Sequence, residues 1–208
     1  MIYIFDMDGT LVDSNETIHE GIGPYFEENG IKYTLEVKQK TVACGYLGTA
    51  FFMVNDYGLT KSPYVICDEL KAITTKAYED RIPAKPYAVE LIKRLAKEGH
   101  RLFVLSASPH TMIGPCLKRL GIFNCFEKIW STEDFNLEKN DIELFYNVAS
   151  ELSVNPADII IVEDSVVPVR TAKSVGMNVF AVYDKQADTF KEEIKKIADR
   201  YLNDLSEF

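Results

Sequence analysis

Long apolar runs are missing from this chain. No stretch reaches the roughly eighteen residues of a membrane-spanning helix, so no membrane partner is expected. Positive charge is in the minority: Lys plus Arg number 23 against 32 Asp plus Glu, a formal net charge of −9. A surface that acidic repels nucleic acid and anionic membrane, although a local basic pocket can still hold a small anion. Cysteine is scarce, with Cys44, Cys67, Cys116 and Cys125 as the four. None forms a Cys-x-x-Cys pair, and no histidine is spaced to complete a zinc site. Their flanks are largely apolar, which suits reduced, mostly buried thiols in a cytoplasmic protein. A Gly-x-x-x-x-Gly-Lys run is also absent, so any phosphate is held without a P-loop. There is no basic segment followed by an apolar one at the start, and a strand is predicted from Ile2, so no targeting peptide is expected.

What is present is an ordinary globular composition: 208 residues, 47% hydrophobic and 26% charged. That length allows one core and a second small lobe. Five short β-rich runs stand out, at Ile2–Phe5, Arg101–Ser106, Phe126–Trp130, Ile159–Glu163 and Val179–Val182. Most are continuously apolar rather than alternating, as in strands covered on both faces of a parallel sheet. Helical periodicity fills the intervals, over Ala88–Glu98, from Ser108-Pro109 to Leu120, over Ile142–Leu152 and over Ser165–Val175. This alternation predicts an α/β fold, a doubly wound, Rossmann-like parallel core of five strands. The tail from Asp188 to Phe208 carries Phe190, Ile194, Ile197, Tyr201 and Leu205 at helical spacing and predicts one more amphipathic helix.

The stretch after the first strand breaks the alternation. Residues 15–81 hold helical patterns interrupted by Gly30, Gly45, Gly48, Gly58 and Pro63, and no convincing strand. A helical domain over 15–81, inserted into a core formed by 1–14 and 82–208, is the economical reading.

In a doubly wound sheet, ligands collect at the carboxyl ends of the strands. After the first strand come Asp6 and Asp8; the second ends at Ser106; a loop containing Lys139 follows the third; the fourth ends in Glu163-Asp164-Ser165. Crowded carboxylates cannot all stay ionised without compensation. A hard divalent cation solves that, and Mg²⁺ suits an all-oxygen set. Lys139, the Ser106 hydroxyl and a helix opening near Ser108 suit an anionic group beside the metal. Together these features predict a phosphate site.

The motifs carry a resemblance. DMDGTLVDS resembles the first motif of the haloacid dehalogenase superfamily of phosphohydrolases, and LFVLSAS its second. Lys139 matches the third-motif lysine, and IIIVEDSVVPVRTAKSVGM resembles the fourth motif with its following helix. The helical insertion is similar to the small C1 cap of the subfamily that includes phosphoglycolate phosphatases and β-phosphoglucomutases. The resemblance implies a Mg²⁺-dependent phosphatase acting on a small soluble phosphate ester. In it, Asp6 is the nucleophile that forms an aspartyl-phosphate, and Asp8 is the general acid and base. It implies metal ligation by Asp6, Asp8 through its carbonyl, and Asp164. Ser106, Ala107 and Lys139 would hold the phosphoryl group, with Glu163 and Asp13 in support. Two residues are candidates for substrate specificity: Tyr46, in the Gly45–Gly48 stretch, by dipping toward the leaving group, and His110, beside the second motif, by lining the entrance. A monomer is the default expectation.

The chain departs from the family pattern at three places. Asn140 follows the lysine in place of proline, Pro168 stands where glycine is usual, and the return segment PAKPYAVELI lacks a glycine near Tyr87. The alternatives are a phosphosugar mutase and a non-catalytic regulatory protein on the same fold. Ile18 occupies the position of a histidine typical of the mutases, which weighs against the first. The joint presence of Asp6, Asp8, Ser106, Lys139 and Asp164 weighs against the second.

Overall fold

The apolar runs become the strands of one parallel sheet. The computed structural model describes residues 1–208, the side chains of Val42 and Ala43 excepted. In chain order the elements are β1 (Ile2–Phe5), α1 (Ser14–Glu28), α2 (Leu35–Tyr57), α3 (Pro63–Asp80), α4 (Ala88–Lys97), β2 (Arg101–Ser106), α5 (His110–Arg119), β3 (Lys128–Ser131), α6 (Ile142–Leu152), β4 (Ile159–Glu163), α7 (Val166–Ser174), β5 (Asn178–Val182), α8 (Lys191–Ile197) and β6 (Arg200–Leu202). The chain forms two compact units, Met1–Asp13 with Pro83–Phe208, and Ser14–Ile82.

In the first unit the strand order is β3-β2-β1-β4-β5-β6, and every neighbouring pair is parallel. Strand β1 therefore lies between β2 and β4, where the order of the strands reverses. Phe5 pairs with Val104 on one side and Val162 on the other. That register brings Asp6, Ser106 and Glu163 out at the same end of the sheet. One core cluster packs Ile4, Phe103, Trp130, Phe145 and Ile161 with Val169 and Val179. At the other end of the chain, the ring of Phe208 packs 5.3 Å from Tyr3, 6.0 Å from Phe5 and 5.6 Å from Phe180.

The tail corrects the sequence reading. It is not one helix: a 3₁₀ stretch over Lys185–Phe190 leads into α8, and Arg200–Leu202 then pairs with β5 as a sixth strand. Its apolar residues satisfy helical spacing locally, but an open edge on β5 offers backbone hydrogen bonds, and the tertiary gain wins. Two of the three departures also resolve. Tyr87 takes the positive φ, 66°, that the missing glycine would supply. The Lys139-Asn140 turn closes without proline, the Asp141 carboxylate accepting the Glu138 N–H at 2.8 Å.

The second unit is helical throughout. Its core joins Ile22, Phe26, Ile31, Val37, Met53, Ile66 and Leu70. The helical patterns on either side of Gly45 and Gly48 form one run, kinked at Gly45, whose φ of 62° only glycine adopts readily. Among the described residues, no helix is long and apolar enough to cross a membrane. Cys67 and Cys116 are buried as expected, whereas Cys44 is exposed. Burial pushes the Cys116 thiol up to about 11.

Candidate active site

Strand β1 delivers Asp6 into a site with three other charged side chains from distant parts of the chain. The Lys139 ammonium donates to Asp6 and, at 2.8 Å, to Glu163. All three are nearly buried. Carboxylate oxygens of Asp6, Glu163 and Asp164 lie within 4.8 Å of one another.

One ammonium does not balance three acids. Burial, and then the charge of Glu163, pushes the Asp6 carboxyl up to about 8 against the pull of Lys139. Burial likewise raises Asp164 well above the usual carboxylate range, with Glu163 and Asp6 adding to the effect and the Thr10 hydroxyl opposing it. Burial works against the charge on Lys139, but Asp6 and Glu163 outweigh it and hold the ammonium above its ordinary value. The site is thus short of positive charge, and its donors are all oxygen. Both properties fit a hard divalent cation.

Glu163 is committed elsewhere. Its Oε1 accepts the backbone N–H groups of Asp164 and Ser165, each at 3.1 Å, while Oε2 accepts from Lys139. It holds the strand-to-helix turn and aims the lysine, which leaves Asp6 and Asp164 as the carboxylates free to face a metal. Asp164 is steadied by the Thr10 hydroxyl, which donates to Oδ1 at 3.0 Å. Gly9 is required between them: its φ is +92°, and a Cβ there would stand 2.6 Å from Asp164 Oδ2.

Asp8 lines the same cavity as Asp6. The Ser108 hydroxyl donates to Asp8 Oδ2 at 2.7 Å. The Ser106 hydroxyl oxygen, buried at the end of β2, accepts the Ser108 N–H at 3.0 Å. A cavity of about 480 Å³ in this unit is lined by Asp6, Asp8, Ala107, Lys139 and Glu163, with Ser165–Pro168, Gln186, Ala187 and Phe190 completing the wall. Helix α7 starts at Val166, with Pro168 in its first turn, where an absent N–H is tolerated.

Other expected residues fall elsewhere. Asp13 is exposed, and its backbone N–H, donating to Pro83 O at 3.0 Å, ties the loop down. His110 is exposed and pairs through Nε2 with both oxygens of Asp134 at 2.9 Å. It is not among the residues lining the cavity. Tyr46 belongs to the helical unit, in a cavity of about 200 Å³ with Ile18, His19, Thr41 and Thr49. There the His19 ring nitrogen meets the Tyr33 hydroxyl at 2.5 Å.

Sequence reasoning missed three supports. Ser108 stands in the sequence as the start of a helix, and neither Thr10 nor Lys85 carries a signal of its role. Lys85 Nζ donates to Gly9 O at 2.7 Å, Tyr183 O at 3.0 Å and Asp184 Oδ2 at 2.7 Å. Nothing local announces these partners; only the fold brings them together.

The chain is similar to several known proteins in sequence and fold. A Bacillus subtilis (strain 168) protein named provisionally as a phosphatase, YhcW, is 29% identical over 194 residues, 91% of this chain and 86% of that protein. The 6-phosphogluconate phosphatase of Escherichia coli (strain K12) is 26% identical over 182 residues, 85% of this chain and 79% of its own. The crystal structure of a provisionally named β-phosphoglucomutase from Thermotoga maritima superposes with a TM-score of 0.84 at 20% identity, covering 98% of this chain and 94% of that one. It shares the fold. The model of the family described as haloacid dehalogenase-like hydrolase matches residues 3–182, and the chain belongs to that family.

Proposed function

We propose that this protein is a Mg²⁺-dependent phosphatase that hydrolyses a small soluble phosphomonoester through an aspartyl-phosphate. The observation that carries the reading is the meeting of Lys139 with Asp6 and Glu163, 133 and 24 residues away in the chain. A nucleophilic carboxylate, a fixed cation and a second acid two residues on are the parts that phosphoryl transfer needs. The names of the relatives support the same reaction class.

Asp6 attacks phosphorus in line with the ester oxygen. Asp8, oriented by Ser108, gives its proton to the leaving oxygen, and then takes one from the water that opens the aspartyl-phosphate. Lys139, Ser106 and the Ala107 N–H hold the phosphoryl oxygens and offset their charge as the bond breaks. Asp6, Asp164 and the Asp8 carbonyl would hold Mg²⁺, which when bound supplies the charge that keeps the carboxylates ionised and polarises the phosphoryl group. Glu163 keeps Lys139 aimed at the reacting centre. The unit Ser14–Ile82 serves as a cap that admits substrate and excludes bulk water.

A panel of phosphorylated metabolites with Mg²⁺ tests this reading. Phosphate release that is lost in Asp6→Asn supports it. Isomerised phosphosugar without net release would make the protein a mutase. No turnover despite bound Mg²⁺ would make it a binding protein.

A further inference from the structure

The catalytic cavity has two walls of opposite character. One holds the charged cluster. The other comes from the first turn of α7 and the junction before α8, and its side chains are Val166, Val167, Pro168, Ala187 and Phe190. Val167 is 44% exposed and Phe190 45% exposed, so each offers apolar surface to the cavity. The remaining members of this wall, Ser165 and Gln186, are uncharged.

Among the described residues lining this cavity, Lys139 is the one cation. Arg170, the next cation along α7, is paired with Glu193 on α8. Lys191 lies over the ring of Tyr183, 4.6 Å from its centre. Lys185, next to Gln186 in the chain, does not line the cavity. Pro168 also removes one of the N–H groups that a helix N-terminus offers to an anion. A second negative group on the substrate would therefore meet Glu163 and Asp8 with no lining cation left to balance it.

We infer that the leaving group of the substrate is uncharged and carries an apolar face, which rests on Val167 and Phe190 beside the catalytic carboxylates. This deepens the phosphatase reading and rests on it. Contact with such a surface favours hydrocarbon over hydroxyl at the same distance from phosphorus. It also disfavours substrates bearing a carboxylate or a second phosphate. The wall thus selects among esters that the catalytic groups alone would treat alike.

The test compares phenylpropyl phosphate, glycerol phosphate and phosphoglycolate at saturating Mg²⁺. Glycerol is the slightly better leaving alcohol, so intrinsic reactivity works against the expected order. The expected kcat/KM for phenylpropyl phosphate exceeds that for glycerol phosphate by about tenfold or more, with phosphoglycolate the poorest. In Phe190→Ser and Val167→Ser, the ratio of phenylpropyl to glycerol ester should fall by about tenfold. Both positions are partly exposed, so the variants should fold, and a thermal melt checks this. Equal rates for the two esters, a preference for phosphoglycolate, or a ratio unmoved in folded variants would overturn the inference while leaving the phosphatase reading intact. Failure to release phosphate even from para-nitrophenyl phosphate would overturn both.

Discussion

The ammonium of Lys85 donates to the carbonyl oxygen of Gly9 at 2.7 Å. The contact pins the turn that follows Asp8 to the end of β5, because the same ammonium also binds Tyr183 O and Asp184. Backbone pairing adds to it, with Lys85 N donating to Leu11 O and Asp13 N to Pro83 O. The chain leaving the first motif is thus clamped to the chain returning from the helical unit.

Lys85→Met should free Gly9 and leave Asp184 as a nearly buried charge without its partner. The expected loss of stability is about 3 kcal/mol, read by urea unfolding. The expected fall in kcat is about tenfold or more, because the Asp8 turn is no longer held. Adding Asp184→Asn should restore part of the stability and little of the rate. A double variant with full activity would show that the clamp serves folding alone.

Gly9→Ala should be worse for activity than for folding. The new Cβ would stand 2.6 Å from Asp164 Oδ2 at a φ of +92°. The backbone strain costs about 1–2 kcal/mol, while the displaced carboxylate should weaken Mg²⁺ binding. Calorimetric titration of Mg²⁺ against the folded variant checks this, and unchanged affinity would contradict it.

Tyr87→Gly should do the opposite. Tyr87 holds a φ of 66° with its ring 53% exposed, so it carries strain and little packing. Glycine should stabilise the protein by about 1 kcal/mol, read as a raised Tm with unchanged kcat/KM. A lowered Tm would show that the ring is doing more than its exposure suggests.

The charge shortage at Asp6 has a pH signature. In metal-free protein the folded state keeps a proton on Asp6 up to about pH 8, whereas the unfolded chain releases it near pH 4. The folded state binds more protons across that window, so stability is highest below it and falls as pH rises through it. The slope from this group is at most about 1.4 kcal/mol per pH unit. Asp164, raised in the same direction, adds to it. Saturating Mg²⁺ should raise Tm and flatten the slope, and Asp6→Asn should flatten it without metal. Urea melts between pH 5 and pH 8, with chelator and with Mg²⁺, would refute this if the curves were parallel.

Much of the site was legible in the sequence because its members close apolar strands. Asp6, Ser106 and Glu163 each end or follow a buried run, and a parallel sheet lines those ends up. Ser108, Thr10 and Lys85 were not legible, since their partners lie 100, 154 and 76 residues away. The tail misled for a related reason. Its spacing fits a helix, but β6 exists only because β5 has an edge to fill. Gly45 and Gly48 interrupt the helical pattern in the sequence, yet one positive φ at Gly45 merely kinks a continuous run.

The central claim is that the Asp6 carboxylate takes the phosphoryl group. Acid quenching during turnover, followed by mass spectrometry of the peptides, tests it directly. The peptide containing Asp6 should carry one phosphoryl group, and should carry more of it in any Asp8→Ala protein that still turns over, where the water lacks its base. Asp6→Asn should show neither the adduct nor phosphate release. Turnover persisting in Asp6→Asn, or a phosphoryl group found on another residue, would contradict the account.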